Sequence, residues 1–378
     1  MTTKFFTFNT SAAGVLWNVT ANTGVYVAKD VTIGSTDNFA LTGTGDTISV
    51  DIDGNVYGDL GGISLTAASN AIVQVGAGAK VGGDLTHSQG ISLAGFDGSV
   101  ENNGRIEGNE GMHLDGTLDL ELHNNGTITG IDSAIHLAAG ATGTFSLFNG
   151  GTIDSTLAGD SFGSLIVSEG TTEDIIFNVG VINGVVSLGG GDDLFFGGGA
   201  KAMTGEIGKL FAVLSGKPGT KVGAFVDGGD GKDQLQGTNF TDFLSGGKGS
   251  DVILGGKGAD TILGSVGKDG LTGGAGADQF TFESAADSHG KGIDTIRDFS
   301  HKEHDILSFG FDAKPGTPDI DDFKFIGTHG FSGKPGELRY EIHKNETLVF
   351  GNTDSDKQPE FELHLTGQIH LENSDFAL

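Results

Sequence analysis

The sequence predicts an all-β protein: an N-terminal parallel β-helix-like stack continuing into a parallel β-roll, then a further β-rich segment. Three observations predict it. Six contiguous nine-residue repeats occupy 228–281. A looser repeat of 22 to 25 residues runs through the first half. Glycine accounts for 68 of 378 residues, prolines number five, and residues 1–200 hold no proline and no convincing helical periodicity.

Residues 1–200 form the first expected domain. ENNGRIEG (101–108), HNNGTITG (123–130) and FNGGTIDS (148–155) place Ile106, Ile128 and Ile153 at intervals of 22 and 25. Each follows a short apolar stretch: GISL (90–93), GMHL (111–114) and AIHL (134–137). NVYGDL (55–60) and KVGGDL (80–85) extend the pattern backward. Coils of this length, with short strands and Asn/Gly corners, suit a parallel β-helix whose Ile and Val rows stack into a core. A β-sandwich also accommodates short strands with frequent turns. The aromatic opening, with Phe5, Phe6, Phe8 and Trp17, is expected to cap the first coil against edge pairing. VVSLGGGDDLFFGG (185–198) carries the corner pattern of helix and roll alike and reads as their junction. Residues 201–227 are a connecting segment, in which KAMTGEIGKLFAVLSGKPG (201–219) permits either a short helix or an irregular coil.

The repeats at 228–281 are the second domain. Their sixth position is always Asp: Asp233, Asp242, Asp251, Asp260, Asp269 and Asp278. Their eighth is always apolar: Leu235, Leu244, Ile253, Ile262, Leu271 and Phe280. Six residues make a glycine-rich turn, and three make a strand whose middle side chain points inward. Two repeats then close one turn of a roll, so residues eighteen apart stack. The second and fourth positions, Gly229, Gly231, Gly247, Gly249, Gly256, Gly258, Gly274 and Gly276, permit positive φ in the turn. A related turn, GGGDDLF (189–195), puts Asp193 in the equivalent place.

Stacked carboxylates would lie roughly 5 Å apart, the spacing of adjacent strands, and repel one another. A hard divalent cation resolves the repulsion, because calcium takes about six to eight oxygens and accepts carboxylates together with backbone carbonyls. Several calcium ions are therefore expected on Asp193 and the repeat aspartates with their glycine turns. The second repeat, GTNFTDFLS (237–245), has Thr238 and Phe240 in place of glycines, and the fifth has Ser265. The site at Asp242 is the least complete.

The repeat resembles the hemolysin-type calcium-binding nonapeptide of RTX proteins, G-G-x-G-x-D-x-U-x. From 282 to 378 the chain resembles the C-terminal domain of serralysin-type secreted proteins. GADQFTFESAADS (276–288), IDTIRDFSHKEHDILSF (293–309), FIGTHGFSGKPGELRYEI (325–342) and the final DFAL carry the likeness. The resemblance implies a type I secretion domain with an uncleaved C-terminal signal, and hence a secreted, extracellular or cell-surface protein exported by the type I machinery. Folding would be switched on by extracellular calcium, and the extreme end is expected to lie exposed outside the stacked core. Serralysin-like proteolysis is excluded, since none of the eleven histidines begins H-E-x-x-H-x-x-G-x-x-H. His301 and His304, in HKEH, have the wrong spacing.

A formal charge of −29 argues against nucleic-acid or anionic-membrane partners. No stretch approaches the roughly 18 apolar residues of a membrane span, and the N-terminus lacks the unbroken apolar core of a cleavable signal peptide. No catalytic motif stands out. Among residues 1–200 only Lys4, Lys29, Lys80 and Arg105 are basic, and all acidic pairs, such as Asp51, Asp53 and Asp59 or Asp115, Asp119 and Glu121, are candidates by proximity alone. His113 and His136 occupy equivalent coil positions and read as a surface ladder rather than a metal site. Asn352, Asp354 and Asp356 alternate as calcium ligands do, or form a solvated hairpin turn. The functional expectation is a non-enzymatic surface-layer, matrix or adhesion protein that contacts surface polysaccharide or self-associates. The alternative is a secreted polysaccharide-modifying enzyme (lyase, epimerase or hydrolase) on the β-helix.

Overall fold

A computed structural model describes residues 2–83, 86–155, 164–197, 221–315 and 321–377. The segment expected to be helix or coil, 201–219, lies outside them. Among the described residues the only helical elements are two short 3-10 turns, Ala285–Ser288 and Asn373–Asp375. The chain divides into two compact units, Met1–Val222 and Gly223–Leu378.

The first unit is a parallel β-helix of three sheets, and each coil contributes one strand to each sheet. The reason is legible in the inward residues. In one sheet Val25, Val50, Val73, Val100, Leu122, Leu147 and Ile176 pair in parallel register and are buried. In the second, Ile33, Val56, Val81, Ile106, Ile128 and Ile153 do the same. In the third the row is Leu41, Ile63, Ile91, Met112, Ile135 and Ile166. Branched side chains stack on their own kind from coil to coil, and the solvent-facing positions alternate with them. The β-sandwich is thereby set aside. The opening residues do form the first coil, but only Phe6 enters the core, while Phe5 and Phe8 are exposed.

One corner of this stack is polar and buried. Asn102 Nδ2 donates to Asn124 Oδ1 (2.7 Å), Asn124 Nδ2 to Asn149 Oδ1 (2.7 Å), and Asn149 Nδ2 to Asn178 Oδ1 (2.8 Å). The same amides reach the carbonyls of Thr127, Thr152 and Val181. Asparagine is suited to this place because it donates and accepts at once, so identical residues satisfy one another along the stack.

The second unit begins with the roll. Gln234–Gln236, Val252–Lys257 and Gly270–Ala275 pair in parallel on one side, and Thr241–Gly249, Thr261–Gly267 and Gln279–Phe282 on the other. Leu235 pairs with Ile253 and Leu244 with Ile262, eighteen residues on. All six eighth-position side chains are buried. Both sheets extend past 281: Asp294–Ile296 continues the sheet holding Leu271, and Ile306–Phe309 the sheet holding Phe280. An antiparallel meander, Glu337–Ile342, Glu346–Asn352 and Phe361–Thr366, joins the first of these through Asp294–Ile296.

The chain's last strand corrects one expectation. Phe376–Ala377 pairs in parallel with Leu307 and Ser308, and the Phe376 ring is buried, 4.8 Å from that of Phe325. His301 Nδ1 and Asp375 Oδ1, 2.6 Å apart, tether the preceding turn. The end is docked because Phe309, Phe325 and Phe376 form one aromatic cluster that would otherwise face water.

The asparagine row sets a test. Asn124→Ala leaves a buried donor and a buried acceptor unmatched on its two neighbours, and should cost the first unit about 1–3 kcal/mol. Asn125→Ala, whose side chain is exposed, should cost less than about 0.5 kcal/mol. Urea unfolding of the full chain measures both, and equal effects would contradict the ladder's structural role.

Candidate cation sites of the roll

The glycine turns deliver each repeat aspartate to the same environment. Gly229, Gly231, Gly247, Gly249, Gly256, Gly258, Gly274 and Gly276 all adopt positive φ, between +95° and +158°. At Gly247 (φ +96°) a side chain would be both strained and driven into the backbone of Gly229 in the turn before. The first glycine of each repeat has a different duty, which the sequence reading missed. A Cβ at Gly228, Gly246 or Gly273 would collide with Oδ2 of the aspartate in its own repeat.

The six aspartates are at most 2% exposed and form two rows. The backbone N–H of Asp233 donates to Asp251 Oδ1 (2.9 Å), and that of Asp251 to Asp269 Oδ1 (2.8 Å). On the other side Asp242 donates to Asp260 and Asp260 to Asp278, both at 2.9 Å. Neither row stops with the repeats. The N–H of Asp269 donates to Asp294 Oδ1 (2.8 Å), and that of Asp278 to Asp305 Oδ1 (3.1 Å). Asp294 and Asp305 are buried as well. Their signal was present in the sequence: Asp294-Thr295-Ile296 and Asp305-Ile306-Leu307 keep the aspartate and the apolar residue two later; Asp294 also keeps Gly290 and Gly292 at the second and fourth turn positions, whereas the Asp305 turn has no glycine. Asp193 obeys the same rule in the first unit, where its Oδ1 accepts from the N–H of Asp174 at 2.7 Å, with both side chains buried. Gly189 and Gly191, in the Asp193 turn, have the positive φ of the repeat turns.

Asp251, Asp260, Asp269 and Asp278 thus have one oxygen held by backbone and a second turned toward the first glycine of their own repeat. Oδ2 of Asp269, Asp278 and Asp294 is buried without a hydrogen-bond donor. The neighbours are acids: Asp251 and Asp287 bear on Asp269, and Asp305, Asp298 and Glu303 on Asp278. Burial pushes the Asp242 and Asp174 carboxyls up to about 7 and that of Asp278 to about 6. Asp269 and Asp294 are both raised, by burial first, and then by the charge of Asp251 on Asp269 and of Asp269 on Asp294. A buried, oxygen-only donor set of this kind fits calcium, whose charge would remove the cause of those shifts.

Asp242 differs. Its Oδ2 accepts from the Thr238 N–H (2.6 Å), the Thr238 hydroxyl lies 3.0 and 3.1 Å from its two oxygens, and its Oδ1 accepts from the Ala224 N–H (2.6 Å). Thr238 occupies the space that a glycine turn leaves open.

The other candidates separate. Asp354 and Asp356 come together with Glu360, but Asp354 Oδ1 and Asp356 Oδ1 accept from the N–H groups of Asp356 (2.8 Å) and Gln358 (2.6 Å), which makes a hydrogen-bonded hairpin turn. Asp119 and Glu121 line an open groove with Asp97 and Phe148. Asp115 is elsewhere, on the strand Glu110–Asp115, and Asp53 accepts from the Tyr26 hydroxyl at 3.0 Å.

Stacked carboxylates at glycine turns, over a core of two parallel sheets, define a β-roll of the RTX type. Residues 115–378, well over half of the chain, match the family Peptidase M10 serralysin C terminal, and the chain belongs to that family. The match starts inside the β-helix, far upstream of the residue 282 at which the sequence likeness was expected to begin. Two solved structures are similar to part of the chain: the solution structures of the AlgE6R2 and AlgE6R3 subunits from the Azotobacter vinelandii mannuronan C5-epimerase. They are 27% and 25% identical, cover 39% of this chain and 88% and 80% of their own, each with a TM-score of 0.29. No curated protein sequence matches the chain significantly.

The raised carboxyls give a pH prediction. An unfolded aspartate loses its proton near pH 3.8, whereas folded Asp278 and Asp242 retain theirs to about 6 and about 7. Between those values the native state binds more protons, so without a cation its stability falls as pH rises. In chelator, acidification from about pH 7.5 to about pH 5 should shift the second unit toward its folded state, so that its cooperative unfolding heat grows as pH falls. Calorimetry showing the opposite slope would contradict the burial of these groups as acids.

Proposed function

We propose that this chain is a secreted calcium-binding protein whose second unit folds when calcium fills the two aspartate rows. The observation that carries the reading is the pair of rows themselves: eight buried carboxylates, each beside other acids. Uncompensated, such charges cost several kcal/mol each. Calcium bound only by the folded state would add stability by mass action, about 2.7 kcal/mol per site at a hundredfold excess over Kd. In a calcium-poor cytosol the roll then stays open for the type I export machinery, and it closes outside the cell. The β-helix has no catalytic motif in its sequence, and its role is non-enzymatic, in a surface layer, matrix or adhesion, with surface polysaccharide or further copies of the chain as partners. A second reading, a polysaccharide-modifying enzyme, is favoured by one feature, the groove where Asp97, Asp119 and Glu121 face the half-exposed ring of Phe148. Turnover of an acidic or neutral glycan, lost in Asp119→Asn, would establish that reading.

Hydrogen exchange on the full chain tests the main proposal. Amides of 228–309 should exchange freely in chelator and become protected in millimolar calcium, while those of the β-helix change little. Equal protection in both conditions would overturn the calcium switch.

Individual sites should also rank. Asp251→Ala or Asp260→Ala should weaken calcium binding more than Asp242→Ala, because Thr238 already holds Asp242. Calorimetric titration in the reverse order would show that the Thr238 turn is itself a competent site.

A further inference from the structure

The third sheet of the β-helix brings two histidines and a glutamate together on its outer face. Glu110–Asp115 and Ser133–Leu137 are adjacent parallel strands, and His113 pairs with His136. Met112, Leu114, Ile135 and Leu137 point into the core, so strand alternation turns both imidazoles outward. The rings are 5.3 Å apart and nearly perpendicular. Both converge on Glu110: His113 Nδ1 is 2.8 Å from Oε2, and His136 Nδ1 is 2.6 Å from Oε1. None of the three side chains is more than 23% exposed. Gln89, one coil earlier, donates its Nε2 to Glu110 Oε2 at 3.1 Å, and Glu169, one coil later, sets Oε1 3.7 Å from His136 Nε2.

We propose that Glu110, His113 and His136 form a binding site for a zinc-class transition metal ion, distinct from the calcium rows in place and in chemistry. The three ligand atoms lie within 4.8 Å of one another, close enough for one ion to take the place of the protons now shared between the imidazoles and the carboxylate. Two imidazole nitrogens and one carboxylate oxygen are a donor set for zinc, nickel or copper, whereas calcium takes oxygens. Three protein ligands leave the fourth tetrahedral position to water. Gln89 and Glu169 stand as the outer groups that orient a ligating carboxylate and a ligating imidazole. Register holds the ligands in place: the two histidines are fixed by backbone pairing and the glutamate by the strand it shares with His113. The metal-free alternative is a hydrogen-bonded His–Glu–His ladder with no affinity for ions.

The experiment uses the full chain without an affinity tag, in millimolar calcium. Cobalt should give a visible d–d band that zinc abolishes, and calorimetry should find one zinc equivalent. His113→Ala, His136→Ala and Glu110→Gln should each weaken zinc at least tenfold, with Asn125→Ala unchanged. X-ray absorption of the zinc-loaded wild-type chain should show two imidazoles, a readout independent of how the variants fold. No saturable zinc uptake, an oxygen-only zinc spectrum, or uptake unaltered in the double histidine variant would each overturn the site.

Discussion

Burial of acidic side chains in register is the constraint on which the second unit depends. Asp251, Asp260, Asp269 and Asp278 each accept the N–H of the aspartate one turn back, so the rows are locked to the backbone pairing of the sheets. That lock fixes one oxygen and leaves the charge. Chains that bury leucine or isoleucine stabilise themselves with every coil added, whereas each buried carboxylate adds a desolvation cost that a neighbouring carboxylate increases. The glycine turns make this geometry possible, since the first glycine of a repeat lets the carboxylate lie against bare backbone.

The two units solve the same corner problem with side chains that differ by one group. In the β-helix the buried corner is asparagine, and an amide offers a donor to the next acceptor, so the row from Asn102 to Asn178 is complete in itself. In the roll the corner is aspartate, which when ionised only accepts. Ionised, its row gathers negative charge that the amide row does not carry. A stack built on amides is thus fixed by its sequence, and one built on carboxylates answers to its surroundings. Asp174 and Asp193 bring the second chemistry into the first unit.

Much of this was legible because the core rows repeat at fixed intervals. Ile106, Ile128 and Ile153 announced the coils through spacing alone, and the nonapeptide announced both the pairing of residues eighteen apart and the two aspartate rows. What escaped did so for physical reasons. The Asp305 turn has no glycine, the Asp174 turn keeps only Gly170, and the Asp294 turn, with Gly290 and Gly292, stands outside the contiguous nonapeptides, so only the coil path brings these three under a neighbouring aspartate. Asn102, Asn124, Asn149 and Asn178 stand before glycine corners as turn residues do, and nothing local separates a solvated asparagine from a buried one. Glu110 lies three residues before His113, and its approach to His136 depends on the sheet register. Phe376 read as the end of a tail until Phe309 and Phe325 supplied the surface that covers it.

The pairing of residues eighteen apart makes the roll sensitive to parity. Successive nonapeptides fall on opposite sheets, so Asp294–Ile296 follows Leu271 on one and Ile306–Phe309 follows Phe280 on the other. Gain or loss of two repeats lengthens or shortens the roll by a whole turn and leaves everything downstream facing as before. Gain or loss of one repeat exchanges the two sheets for the rest of the chain, carrying the meander and the docked Phe376 to the opposite side. Inheritance of this architecture should therefore proceed in steps of eighteen residues, and an odd repeat count is a half-turn of rotation written into the gene.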